Sequence, residues 1–233
     1  MATGTAPDFG LVTWESEGTE GGTFHSRVLC VPSDASGLTL GRGYDMKERT
    51  TASIIQDLTA SEVSLANAKL ISKAAGLSGA DARKFIVDNK LEKFEISRTG
   101  QVTLFVRTYL VLKAEVWRIC TKADVVAKYG ACNWDKLDTA IVDILVDLRF
   151  RGDYTGTSRA LVQTPVVRND LVAFAKAMQL ASNWTNVPTD RFKRRNAFLT
   201  AALAARAKAV KPIPFTSEII GTPTHLRTGR FQA

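Results

Sequence analysis

Cysteine and histidine are scarce in this sequence, which has three cysteines and two histidines among 233 residues. Because three is an odd number, Cys30, Cys120 and Cys132 cannot all pair within one chain. None of them lies in a C-x-x-C motif or in a Cys/His cluster with metal-ligand spacing, so we expect no metal site. Free buried thiols, and folding in a reducing compartment, are the expectation that follows.

The sequence also lacks a long apolar run, a secretory signal and a phosphate-binding loop. No segment approaches the length of a membrane span, so we expect no membrane insertion. Residues 1–10 have neither the basic nor the apolar region of a signal peptide. We therefore expect synthesis in the cytoplasm, followed by release or delivery through another system. Gly41-Arg42-Gly43 lacks the third glycine of a dinucleotide-binding loop, and no Walker A lysine follows a glycine-rich loop.

Acidic residues are fewer than basic ones, 23 against 31, which gives a formal net charge of +8. This excess favours a polyanionic partner, such as nucleic acid, an anionic membrane surface or the bacterial cell wall, although it is also compatible with solubility alone. The lysines and arginines are scattered over many predicted helices instead of alternating with aromatic residues on one surface. This scatter does not favour a basic helical nucleic-acid-binding protein, which stays as one alternative, and a non-catalytic wall-binding protein is another.

The length and patterning predict one α+β domain over residues 1–233. A small antiparallel β-lobe is expected at about 19–46, a helical lobe at about 50–207 and an extended tail at 208–233. We predict a helix from Phe9 to Glu17, ended by a left-handed Gly18. The other predicted helices are one opened by a capping box at Thr59–Glu62, then 80–89, 100–129 with a break, a buried central helix at 134–148, 169–181 and 188–207.

The candidate catalytic segment is Ser36–Asp45. Its glycines at 37, 41 and 43 predict short, tightly bent strands. Thr39 and Asp45 bracket this turn and can converge on one point. Glu17, at the end of the first helix, supplies a further carboxyl group. An acid that protonates the leaving oxygen and a second group that positions water are the minimum for hydrolysing a glycosidic bond.

These residues also carry a family resemblance. The segment Ser36–Met46 has the sequence SGLTLGRGYDM and is preceded by Val31-Pro32 and by Glu17-Gly18. It resembles the active-site signature of the pesticin-like branch of phage-type lysozymes, E-G…V-P…S-G-V-T-I-G-x-G-[YF]-D-[LM]. The resemblance is strong over residues 17–46 and weaker at Asp147–Tyr154 and Arg191–Asn196.

The resemblance implies a lysozyme-like fold and a muramidase that cuts the β-1,4 bond between N-acetylmuramic acid and N-acetylglucosamine in peptidoglycan. It implies Glu17 as the general acid, Thr39 and Asp45 as the groups that hold water, inversion of the anomeric centre and no cofactor. We expect a monomeric endolysin or antibacterial effector. Residues 77–130 either enlarge the cleft or bind an immunity or regulatory partner.

Several residues have two interpretations. Glu15 competes with Glu17 as the acid, and Asp34 lies near the position where the T-even phage branch carries its aspartate. We favour Glu17 and Asp45, which match the pesticin-like pattern, and interpret Asp34 as a turn residue. Three further residues, Arg149, Arg151 and Tyr154, either bind the substrate or close the central helix through ion pairs with Asp147 and Asp153. The basic run at 191–195 is expected to be a solvated face.

Overall fold

The structure, a computed structural model, describes residues 6–22 and 25–209. Within these ranges the chain is mostly helical and has one two-stranded antiparallel sheet, which is compatible with the predicted α+β class. The strands are β1 (Thr39–Leu40) and β2 (Tyr44–Asp45). The helices are α1 (Leu11–Ser16), α2 (Thr51–Ala60), α3 (Leu65–Ile71), α4 (Gly79–Asp88), α5 (Arg98–Cys120), α6 (Ala123–Tyr129), α7 (Thr139–Arg151), α8 (Gly156–Val167), α9 (Leu171–Gln179) and α10 (Thr189–Ala209), with short 3-10 helices at Ser72–Ala74, Trp134–Lys136 and Ala181–Asn183.

A buried central helix was predicted at 134–148 from its apolar spacing. The buried helix is confirmed, but it begins at Thr139, because Trp134–Lys136 form a separate 3-10 helix. In α7, the side chains of Ile141, Ile144, Leu145 and Leu148 are fully buried. Apolar residues that recur every three or four positions form one helix face, which packs into the core. The predicted break within residues 100–129 is also confirmed, because α5 ends at Cys120 and α6 begins at Ala123.

The predicted capping box at Thr59–Glu62 is wrong. Helix α2 begins after Thr50, whose hydroxyl accepts the Ser53 amide, and it ends at Ala60. Glu62 has a φ of +65°, which is outside the helical region. Helix α3 is capped instead by Ser64, whose hydroxyl accepts the Asn67 amide at 3.2 Å. The capping sequence is short enough to recur by chance at the end of a helix.

Gly18 ends α1 for a different reason from the one predicted. Gly18 does not have a positive φ. The C-cap of α1 is Glu17, with a φ of −100°. A Cβ on Gly18 would lie 2.6 Å from the Cβ of Ser26. The glycine is therefore needed because the loop after α1 packs closely here, rather than because its backbone is left-handed.

The buried apolar residues form two clusters. One contains α1 together with the faces of α5 and α7–α10 that point inwards. The other contains the β1–β2 hairpin and α2–α4. Helix α5 contributes to both, with Phe105 in the first cluster and Leu104 in the second. The hairpin and α1 therefore approach each other from different clusters, and the predicted catalytic residues lie on these two elements.

Residues 1–5, 23–24 and 210–233 lie outside the described residues, and so does nearly all of the predicted tail at 208–233. No helix among the described residues has the length and apolar character needed to cross a membrane.

Candidate active site

The C-terminal end of α1, where Glu17 lies, is fixed by contacts of Trp14 and Arg42. Trp14 is buried and packs edge-on against Phe105, with ring centroids 5.1 Å apart. Arg42, from the hairpin turn, donates from Nη1 to the carbonyl oxygens of Trp14 and Gly18, each at 2.5 Å. Its guanidinium also lies 3.9 Å from the centroid of the Trp14 ring. A cation at the C-terminal end of a helix offsets the partial negative charge of the terminal carbonyls.

Thr39 and Asp45 lie opposite each other across the β1–β2 hairpin. The backbone of Thr39 also pairs with Cys30, through N···O distances of 2.8 and 3.0 Å. Directly paired residues of an antiparallel ladder project from the same face. Cys30, Thr39 and Asp45 therefore form a row on one face, and the two oxygen-bearing side chains predicted to hold water are neighbours.

The oxygens of both side chains are fixed by backbone groups. The Asp45 carboxylate accepts the Gly37 amide at 3.0 Å and the Lys47 amide at 2.8 Å. The Thr39 hydroxyl donates to the Gly37 carbonyl oxygen at 3.2 Å. Because the hydroxyl proton is used in this bond, the Thr39 oxygen faces any further partner as an acceptor, and the carboxylate oxygens retain lone pairs as well.

The turn of the hairpin meets Glu17 at Gly43. An ideal Cβ on Gly43 would lie 3.3 Å from Oε2 of Glu17 and 2.5 Å from Cε1 of Phe150. Gly43 also has a φ of +78°, which L side chains rarely adopt. Glycine at this position thus lets the Glu17 carboxyl and the Phe150 ring pack directly against the strand that carries Asp45.

Glu17 begins a chain of alternating charges that runs into the core. Its Oε1 accepts Arg191 Nη1 at 2.5 Å. Arg191 and Arg195 both donate to the Asp147 carboxylate, at 2.6 Å each, and Arg195 also donates to Asp153 at 2.9 Å. Arg151 completes the chain with a 2.5 Å bond to Asp153. Three acidic groups and three guanidiniums alternate, so the network has no net formal charge when Glu17 is ionised and one positive charge when Glu17 is protonated.

Burial and charge act in opposite directions on the pKa of Glu17. Burial disfavours the carboxylate and is the largest effect, while the Arg191 guanidinium favours the carboxylate. The nearby negative charge of Asp147 adds to the effect of burial. The net result is a pKa of Glu17 above its ordinary value, as a general acid that works near neutrality requires.

Asp147 shows the opposite balance. Burial alone would raise its pKa, but the Arg195 and Arg191 guanidiniums outweigh burial and hold the pKa below its ordinary value. The Asp147 side chain is completely buried and Arg195 is 1% exposed. Asp147 therefore holds a negative charge in the core, and this charge orients the arginine that contacts Glu17.

The competing acidic residues lie outside this arrangement. The side chain of Glu15 is 61% exposed, and its closest ion-pair partner is Arg194 at 4.0 Å. Asp34 is 91% exposed and pairs with Arg83. In the described part of the chain, neither residue forms a hydrogen bond or an ion pair with Glu17, Thr39 or Asp45. Of the predicted acids, Glu17 is thus the one that lies against the hairpin.

The three predicted substrate-binding residues have different partners and different degrees of burial. Arg149 donates to Glu115 at 2.7 Å. Arg151 belongs to the network and also donates to the Asn186 carbonyl oxygen at 2.8 Å. Tyr154 is buried, and its hydroxyl donates to Gln163 at 2.6 Å, with Cys120 Sγ at 3.3 Å. The position of Tyr154 in the core gives no support to a direct contact with a polysaccharide.

The sequence analysis missed the roles of Arg191 and Arg195 because their basic run was interpreted as a solvated face. Both side chains are instead buried, at 7% and 1% exposure. A signal was present: Arg191, Arg195 and Leu199 are four positions apart and form the buried face of α10. Residues with this spacing share one side of a helix, so two arginines in register with a core leucine indicate buried ion pairs.

The described residues contain no group of three or more His, Cys, Asp or Glu side chains that could hold a metal ion. The site as described consists of acid–base and hydrogen-bonding groups: one carboxyl with a raised pKa and, on the hairpin, one carboxylate beside one hydroxyl. These groups can protonate a leaving oxygen and orient a water molecule.

Comparison with known proteins gives one family. No curated protein matches the chain significantly. A family model described as "Domain of unknown function (DUF8812)" matches residues 10–196, a range that includes the whole charge network from Glu17 to Arg195. Because this range covers most of the 233 residues, the chain belongs to the DUF8812 family.

Proposed function

We propose that the protein is a peptidoglycan muramidase with a lysozyme-like fold, related to the pesticin-like branch of phage-type lysozymes. The observation that carries the proposal is the Glu17 carboxyl, which has a raised pKa, is paired with Arg191 and lies against the hairpin turn at Gly43. The hairpin is the segment whose sequence resembles the lysozyme signature. Its Thr39 and Asp45 are direct cross-strand partners.

In the proposed reaction, protonated Glu17 donates its proton to the glycosidic oxygen as the bond to the leaving sugar breaks. A water molecule donates its two protons in hydrogen bonds to Asp45 and Thr39, because both present acceptors. Its free lone pair then points away from the hairpin, towards the anomeric carbon. Asp45 takes a proton from this water as attack proceeds, and displacement by water inverts the anomeric centre.

The biological setting is part of the proposal and has two forms. A phage endolysin and an effector delivered into a competing cell would use the same residues on the same wall polymer. The formal charge of +8 favours association with the anionic wall. An effector would have an immunity partner, whereas an endolysin would need none.

The decisive experiment measures sugar ends released from purified peptidoglycan by the wild-type protein, Glu17→Gln and Glu15→Gln. We expect new N-acetylmuramic acid reducing ends from wild type and Glu15→Gln, and a loss of at least about 100-fold in Glu17→Gln. Glu15 is the matched control because it lies on the same helix and is exposed. Proton NMR of the fresh product should show inverted anomers.

Failure of the folded wild-type protein to release any sugar ends would overturn the muramidase proposal. Salt-dependent retention on DNA or on intact wall would then distinguish the two non-enzymatic alternatives. Activity that survives in Glu17→Gln and disappears in Glu15→Gln would keep the reaction and reassign the acid.

A further inference from the structure

A cavity of about 610 Å³ lies at the N-terminal end of α1, whereas Glu17 lies at the C-terminal end of this helix. Its walls come from the segment before α1, from α5, from the 3-10 helix Trp134–Lys136 and from α7. Neither Glu17 nor Thr39 nor Asp45 lines it. Cavities of this size hold small organic ligands, and the proposed hydrolysis has no use for this one.

One wall of the cavity is fixed by Asp143. Its carboxyl accepts the Tyr109 hydroxyl and the backbone amide of Gly10. Burial raises the pKa of this carboxyl, although the two hydrogen bonds and the charge of Lys113 act against the rise. Asp143 thus joins α7 to α5 and to the start of α1. These bonds give the cavity a defined wall built from three elements.

Aromatic rings and an aliphatic chain form the open part of the cavity. Phe9 is 36% exposed and its ring centroid lies 4.9 Å from that of Tyr109. Trp134 is half-buried, and Leu110 is 49% exposed. Exposed apolar rings beside a cavity offer dispersion contacts to a ligand and, to a cation, the negative faces of their π-systems.

The mouth of the cavity is acidic, in contrast with the basic chain as a whole. Asp8 and Asp135 are exposed, and no described residue forms an ion pair or hydrogen bond with their carboxylates. Lys113 is the cation of the lining, and its charge acts on Asp143. Two carboxylates therefore remain available to a ligand. Since the chain carries +8, free cations are repelled at long range, and attraction of a cation must be local.

We propose that this cavity binds an organic cation, a primary ammonium group carried on an apolar or aromatic body. The ammonium group lies between the carboxylates of Asp8 and Asp135, and the apolar body packs on Phe9, Trp134 and Leu110. This site is independent of the proposed hydrolysis, because it shares no residue with the surroundings of Glu17.

The test uses phenethylammonium as the probe and the full chain at neutral pH. Titration is followed by the indole N–H resonances of the four tryptophans in a ¹H–¹⁵N NMR spectrum, with Trp134→Phe used to assign the Trp134 peak. We expect a saturable shift of the Trp134 peak and none of the Trp184 peak. The neutral 2-phenylethanol should bind at least about threefold more weakly, and 3-phenylpropionate should produce no shift.

A matched pair of variants tests the role of the carboxylates. We expect Asp135→Asn to weaken phenethylammonium binding at least about threefold, whereas Asp124→Asn, at an exposed aspartate of α6, should leave binding unchanged. Asp135 has no described partner, so its loss should not affect folding. Equal shifts with all three probes, an unmoved Trp134 peak or equal binding by the two variants would each overturn the proposal.

Discussion

At Glu17, burial and a neighbouring charge act in opposite directions on the pKa. Burial disfavours its ionised form, and Arg191 at 2.5 Å favours it. The pKa of Glu17 is raised, so burial outweighs the ion pair. Arg191 thereby lowers the upper limit of the pH range over which Glu17 stays protonated.

Replacing Arg191 should move this limit. In Arg191→Gln the Glu17 carboxylate loses its closest positive charge, so its pKa should rise further above the ordinary value. A general acid works while it is protonated, and the alkaline limb of the kcat/KM profile should therefore move to higher pH. Arg194→Gln is the control, because Arg194 is half-exposed and faces Glu15. An alkaline limb that stays in place in Arg191→Gln would contradict the assigned role.

The raised pKa of Glu17 also affects stability. A carboxyl whose pKa is higher in the folded than in the unfolded state stabilises the fold below its unfolded pKa, near 4.5. This contribution is lost as pH rises through the folded pKa. Glu17→Gln, which mimics the protonated form, should therefore have a higher free energy of unfolding than wild type at pH 7, and the difference should shrink at pH 4. Urea unfolding at both pH values measures this difference in the free energy of unfolding, with Glu15→Gln as the control. A difference that is the same at pH 7 and pH 4 would contradict a raised pKa of Glu17 in the folded state.

At the scale of elements, the approach of the hairpin to α1 and α7 depends on Gly43. Gly43→Ala introduces a Cβ at a φ of +78° and at 2.5 Å from Phe150. Gly76→Ala is a matched control, because Gly76 has a φ of +81° and open space around its Cβ position. Both should lose about 1 kcal/mol from backbone strain, and Gly43→Ala about 1–3 kcal/mol more from overpacking. Chemical unfolding measures the free energy of unfolding of both variants and should show the larger loss in Gly43→Ala. Equal losses in the two variants would mean that the Phe150 ring moves aside without cost.

Helices α7 and α10 are joined by the Asp147 carboxylate. Asp147→Asn leaves Arg195, which is 1% exposed, with Asp153 as its remaining acidic partner. Breaking a buried ion pair from one side costs about 3–5 kcal/mol. Asp88→Asn is the comparison, because its pair with Lys84 is exposed and should contribute under about 1 kcal/mol. Similar losses in the two variants, measured by urea unfolding, would contradict the account of the network.

The pH dependence of the Asp147 contribution has the opposite sign to that of Glu17. Because the pKa of Asp147 is lowered, its stabilising effect is present above its ordinary value of 3.8 and is lost as pH falls through the folded pKa. The difference in free energy of unfolding between wild type and Asp147→Asn should thus narrow in strong acid.

Across the whole molecule, the candidate site lies where two separately buried clusters meet. Helix α1 belongs to one cluster and the hairpin to the other, with α5 contributing to both. The sequence predicted these parts where local pattern determines them: the spacing of Ile141, Ile144 and Leu148 identified α7, and the glycines identified the hairpin. Glu17 was placed at the end of α1 for similarly local reasons.

The parts that sequence could not predict depend on long-range contacts. The basic run at 191–195 has the composition of a solvated face, and only the partners Asp147 and Asp153, some forty positions earlier, make its burial favourable. The missed helix α8 contains Pro165, which usually interrupts a helix. Arg42 occupies a position that the signature leaves variable, so its bonds to the carbonyls of Trp14 and Gly18 could not be anticipated.

The ion pair between Glu17 and Arg191 joins residues 174 positions apart. During translation the chain leaves the ribosome N-terminal end first. Glu17, Thr39 and Asp45 emerge early, whereas the arginines of α10 emerge only after α2–α9 have been synthesised. Until α10 docks, Glu17 has no guanidinium beside it and Asp147 has neither of its partners. A growing chain therefore contains every proposed catalytic residue long before the Arg191 guanidinium can act on Glu17, and the proposed site is complete only after α10 has docked.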